Sequence, residues 1–107
     1  MRFRLLLPVV AYLLLGFTAE VRAQIPTELR WGGDAEGGAP FVEADPGDPA
    51  NVRGFDVDIA SLLAGTVGRT ARFVQAGFTT LDASVSRGDF DIALSGIEDS
   101  ATRRSRL

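Results

Sequence analysis

Asp34, Phe78 and the run "SGIEDSATRR" from Ser95 to Arg104 hold the residue types from which a small-molecule site could be built. An ionised aspartate receives an ammonium or guanidinium group. An arginine grips a carboxylate with its planar fork through two parallel charge-assisted bonds. A phenylalanine face covers the apolar part of a ligand. Each also has a plainer reading. Asp34 lies in a glycine-rich loop, Phe78 can belong to the core, and Arg103 and Arg104 can lie on a solvated helix face capped by Ser100.

The rest of the composition narrows the chemistry. The chain has no histidine, no cysteine and no lysine. That removes Ser-His-Asp and Cys-His nucleophilic arrangements, histidine acid–base work and the commonest metal ligand. "GGDAEGGAP" lacks the Gly-Lys-Ser/Thr ending of a phosphate loop, and no G-x-G-x-x-G occurs. The acid pairs Asp56/Asp58 and Asp89/Asp91 suit a helix cap, a helix dipole and a turn better than catalysis. No calcium-loop pattern is present. A catalyst would have to rely on carboxylates such as Glu98 and Asp34. No cofactor is expected.

These residues need elements to position them. "LRWGG" alternates like a short strand. Residues 34–54 form a long Gly- and Pro-rich stretch without a period, expected to be loop. Asp56 is expected to cap a helix whose apolar face carries Val57, Ala60, Leu63, Ala64 and Val67, with Gly68 closing it. "TARFVQ" is a second strand. Thr79 or Thr80 opens a short helix through Ser86 that turns Leu81, Ser84 and Val85 inward and stops at Gly88. "FDIALSG" is a third strand, and its continuous apolar run predicts burial on both faces. The order strand, helix, strand, helix, strand is a βαβαβ unit with a parallel sheet and flanking crossover helices. Ligands of such sheets sit outside the carboxyl ends of the strands. The loops bearing Asp34 and Ser95–Glu98 should therefore face one crevice.

The chain begins with a basic n-region at Arg2 and Arg4, an apolar run from Leu5 to Phe17, and small residues at Val21 and Ala23. This is expected to be a signal peptide over residues 1–23, since the run is too short to span a bilayer. The segment holds Arg2, Arg4, Arg22 and Glu20, a net +2. The whole chain carries −3, so residues 24–107 carry −5. An exported acidic domain has no electrostatic case for binding nucleic acid.

The run "GFDVDIASLLAGTVGRTARFVQAGFTTLDASVSRGDFDIALSGIEDSATRR", with "LRWGGDA" and "APF" ahead of it, resembles the amino-terminal part of family 3 solute-binding proteins. These are the receptors of polar amino-acid ABC importers. The subset fused ahead of its permease is especially similar. The resemblance implies lobe one of a two-lobe α/β periplasmic-binding-protein fold that closes on an amino acid. It implies a periplasmic, non-enzymatic receptor partnered by an inner-membrane permease. By the same resemblance, Arg103 matches the arginine that grips the ligand α-carboxylate. Ser95 and Gly96 match strand-end backbone contacts to the ligand. Phe78 matches a pocket wall, and Asp34 an acid that in some members meets a basic side chain. Glu98 stands where a Ser or Thr hydroxyl often receives the ammonium. Gly37 and Gly38 stand where an aromatic wall is common.

Residues 24–107 are thus expected to be a partial solute-binding domain, binding weakly or not at all when isolated. The alternatives are a remnant without function of its own, or a dehydratase-like or sensory protein that uses the same domain.

Overall fold

The structure is a computed structural model and describes residues 24–107. The expected signal peptide lies outside the described residues.

Three parallel strands form the central sheet. They are β1 (Glu28–Gly33), β4 (Thr70–Gln75) and β5 (Ile92–Ala93), in the order β4-β1-β5. β1 runs in register with β4 from Glu28↔Thr70 to Gly33↔Gln75, and with β5 at Trp31↔Ile92 and Gly32↔Ala93. Helix α1 (Phe55–Thr66) connects toward β4. A short 3₁₀ turn (Phe78–Thr80) leads into α2 (Leu81–Arg87), which precedes β5, and α3 is a single turn at Ala101–Arg104. The expected βαβαβ order and parallel sheet are therefore present.

Burial explains the arrangement. Trp31, Val42 and Ala60 form a buried cluster, with Val52, Val57 and Phe73 packed against it. The Trp31 and Phe73 rings meet at 4.8 Å, inclined by 58°, a favourable tilted aromatic pair. Leu81 and Phe90 are buried on the α2 side of the sheet. Gly32 makes this packing possible, because a Cβ there would lie 2.2 Å from the Phe90 ring.

Five sequence expectations need correction. Residues 34–54 are not all loop, since β2 (Glu43–Asp45) and β3 (Asp48–Arg53) form an antiparallel hairpin. β3 is exposed except at Val52, which is half-buried, so burial imposes no apolar alternation on it. Asp56 does not cap α1. Gly54 is the N-cap, and Asp56 sits inside the first turn, buried. The helix's first amides already have partners: Phe55 N–H donates to Pro40 O at 3.4 Å and Asp56 N–H to Phe41 O at 2.8 Å. Thr80 stands at the N-cap of α2 without a side-chain cap bond, because its hydroxyl donates to Gly77 O at 2.9 Å. β5 is only half-buried, because among the described strands it is an edge.

The apolar face of α1 is also narrower than its spacing suggested. Ala60 and Ala64 are buried, while Leu63 and Val67 are exposed. On α2, Leu81 and Ser84 are buried and Val85 half-buried, and Gly88 ends the helix in the left-handed region, as expected.

Candidate functional site

The carboxyl ends of β1 and β5 meet as the topology requires. Asp34, the first residue past β1, donates its N–H to Ser95 Oγ at 3.2 Å. Ser95 is buried, two residues beyond β5. One bond thus joins the two loops that the sequence placed at a common crevice.

The Asp34 carboxylate is tied on both oxygens. Oδ2 accepts from Phe78 N–H at 2.9 Å. Oδ1 accepts from Gln75 Nε2 at 3.2 Å and from Glu36 N–H at 3.1 Å. Gln75 ends β4 beside Gly33, so sheet register delivers its amide to Asp34. These donors, the Phe78 amide foremost, hold the Asp34 carboxyl below its ordinary value of 3.8. Asp34 therefore stays ionised at neutral pH while most of its acceptor capacity serves the loop. Its charge, rather than a free oxygen, is what it presents at the strand end.

Phe78 opens the 3₁₀ turn, with 46% of its surface exposed. It is not a core residue, which leaves an aromatic face at the strand end. Gly96 has φ 62°, a left-handed conformation that other residues rarely adopt. A Cβ there would approach the Phe41 ring to 2.8 Å. Phe41 therefore packs against the strand-end backbone, a contact without any sequence signal.

Arg103 is anchored from two directions. Its Nε donates to Asp82 Oδ1 at 2.9 Å and Oδ2 at 3.0 Å. Its Nη1 donates to Glu98 O at 2.5 Å. The expected Ser100 cap is present, with Oγ accepting from Arg103 N–H at 3.2 Å. Nη2 makes no hydrogen bond among the described residues, so part of the guanidinium fork remains available. Arg104 pairs instead with the exposed Asp99, which holds the Asp99 carboxyl below and the Arg104 guanidinium above their ordinary values. The Glu98 side chain is exposed and makes no hydrogen bond among the described residues.

Hydrogen bonds thus link Asp34 to Ser95 and Phe78, and Arg103 to Glu98. An open cleft lies elsewhere. It measures about 380 Å³ between residues 35–39 and the β2–β3 hairpin, beside the Glu43–Arg53 pair. It includes none of Asp34, Phe78, Ser95, Gly96, Glu98 or Arg103. Asp34, Ser95 and Phe78 are joined directly, while Arg103 and Glu98 form a separate hydrogen-bonded pair. Among the described residues, no group of three or more His, Cys, Asp or Glu side chains could hold a metal ion.

Sequence reasoning missed Gln75, Asp82 and Phe41. Gln75 was legible in principle as the last residue of a strand beside β1. Asp82 and Phe41 act through contacts far apart in the chain that no local pattern marks.

Comparison with known proteins fits this geometry. Residues 29–107 match the family model described as bacterial extracellular solute-binding proteins, family 3. A binding component of an ABC transporter from Wolinella succinogenes, solved with lysine, is 33% identical with a TM-score of 0.68, over 77% of this chain and 34% of that one. An ancestral cationic amino-acid solute-binding protein is 32% identical with a TM-score of 0.67, over 74% and 33%. An ancestral cyclohexadienyl dehydratase is 32% identical with a TM-score of 0.65, over 74% and 32%. The chain thus spans about a third of the length of the structures it matches. No curated protein matches it. The mixed α/β unit with its parallel sheet and flanking helices is the lobe fold of periplasmic binding proteins. The chain belongs to the bacterial extracellular solute-binding proteins of family 3.

Proposed function

We propose that this chain contributes one wall of a periplasmic amino-acid receptor that delivers its ligand to an ABC permease in the inner membrane. The observation that carries the reading is Arg103. Its guanidinium is fixed by Asp82 and the Glu98 carbonyl, and Nη2 remains available to a ligand carboxylate. In this reading the backbone at Ser95 and Gly96 receives the ligand's polar head, Phe78 covers its aliphatic part, and Glu98 faces its ammonium. Asp34 remains charged, which favours a basic side chain over an acidic one. The lysine-bound and cationic amino-acid relatives support that preference.

Titration calorimetry of the chain with L-arginine, L-lysine and L-glutamate tests the proposal. The expected order places both basic amino acids ahead of glutamate. Equal affinity for all, or tighter binding of glutamate, overturns it.

A dehydratase-like activity is the second reading, favoured by the ancestral dehydratase relative. Such chemistry needs a proton donor poised near neutral pH. Asp34 is shifted the opposite way by its amide partners. That leaves the exposed Glu98 alone in the role and makes binding without turnover the stronger reading. Product formation from a prephenate-like acid, measured against a Glu98→Gln variant, distinguishes the two.

A further inference from the structure

Six salt bridges join described residues, and the Arg103–Asp82 pair is the least exposed of them. Its side chains are 24% and 23% exposed, against 72% and 67% for the neighbouring Arg104–Asp99 pair. The pair joins α2 to α3 across a separation of 21 residues. A pair that is partly withdrawn from water is screened less by salt and holds its geometry better than one at the surface.

The geometry is specific. Both Asp82 oxygens sit on Nε, at 2.9 and 3.0 Å, and neither bonds an Nη atom. A carboxylate competing for the fork would engage two nitrogens in parallel. Asp82 instead holds the inner corner of the guanidinium, while the Glu98 carbonyl takes one N–H of Nη1. Both N–H groups of Nη2 and the second on Nη1 are left for another acceptor. An arginine side chain carries large rotamer freedom, and fixing it before the ligand arrives lowers the entropic cost of binding.

We propose that Asp82 is a positioning residue for ligand recognition. It fixes the plane of the Arg103 guanidinium so that its outer edge is set to receive a ligand carboxylate. This inference rests on the receptor reading of Arg103 given above.

Two measurements on the full chain test it. The first needs no ligand. The Arg103 Nε–H should exchange with solvent more slowly than the Nε–H of Arg72, whose side chain is 60% exposed. That protection should fall in Asp82→Ala and largely persist in Asp82→Glu. If Arg103 and Arg72 exchange alike, or if Asp82→Ala leaves exchange unchanged, Asp82 does not hold the guanidinium and the proposal is wrong. The second compares L-arginine with L-argininamide, which lacks the carboxylate. Asp82→Ala should weaken L-arginine by about tenfold while changing L-argininamide little, and Asp82→Glu should recover most of the loss. Equal losses for both probes would reduce Asp82 to a structural brace and overturn the proposal. If the unmodified chain binds neither probe, the exchange measurement alone decides the proposal, and an unprotected Arg103 Nε–H, or one unchanged in Asp82→Ala, overturns it.

Discussion

The end of β1 and the start of α1 each carry an aspartate, and the protein treats the two in opposite ways. Asp34 accepts from the Phe78 and Glu36 amides and the Gln75 side chain, and its carboxyl lies below its ordinary value. Asp56 is buried, with Oδ2 lacking any hydrogen-bond partner among the described residues, and burial pushes its carboxyl above the ordinary value. Asp34 has donors because its own loop and the segment that ends β4 meet where the strands end. Asp56 has none because the Pro40 and Phe41 carbonyls already take the first amides of α1. A buried carboxylate without donors favours its neutral form, and one with several favours its charge. The first arrangement stabilises a loop around an ionised group. The second stores a cost inside the core.

The largest expected effect is at the satisfied site. Asp34→Ala strands the Phe78 amide and loosens the turn, costing on the order of 2–3 kcal/mol of stability, measured by denaturant unfolding. The Phe78 amide should also lose its protection from hydrogen exchange. Because the folded carboxyl is lowered, Asp34's contribution is fully present above its unfolded value near 3.8 and is lost as pH falls through the folded value. Unfolding midpoints that match the unmodified protein at every pH would remove the contrast.

A smaller change of opposite sign is expected at Asp56. Its folded carboxyl is raised, so the protein is most stable with respect to this group below pH 3.8 and loses stability as pH rises toward the folded value. Asp56→Asn removes the buried charge and should stabilise the fold by about 1 kcal/mol near pH 7. The gain should shrink to nothing in acid. A destabilised Asn variant at pH 7 would mean that the helix terminus compensates the charge, and the two aspartates would then differ only in degree.

Arg104→Ala sets the baseline for both. The Arg104–Asp99 pair lies in water, and exposed pairs contribute little. No measurable shift in the unfolding midpoint is expected, and a clear shift would show that charge near the chain end matters more than burial at either aspartate.

The hairpin and the helix start show where the sequence was silent. "EADPGDPANVR" carries turn residues but no apolar alternation, because β3 faces water along most of its length and burial imposes no pattern there. Its prolines argued against a strand. At α1, an aspartate just ahead of a periodic apolar run reads as a cap. Whether it caps or enters the first turn depends on the carbonyls of Pro40 and Phe41, which a local pattern does not contain. Candidate site residues were more legible, since strand ends can be located from strand patterns. Asp34 and Ser95 follow from that rule and Gln75, though missed, could have, whereas Asp82 does not, being an ordinary first-turn acid until Arg103 folds against it.

By itself the sequence determined the alternation of strands and helices, the parallel sheet and the loops gathered at its carboxyl end. Those features rest on periodicity, helix-ending glycines and the handedness of crossovers, which act over short stretches of chain. Tertiary structure alone decided which carboxylates are satisfied and which arginine is held. A hydrogen bond between Arg103 and Asp82, or between Asp34 and Phe78, depends on an approach between distant segments to within about 3 Å. Packing of Trp31, Phe73, Leu81 and Phe90 around the sheet sets that approach, and no local run of residues encodes it.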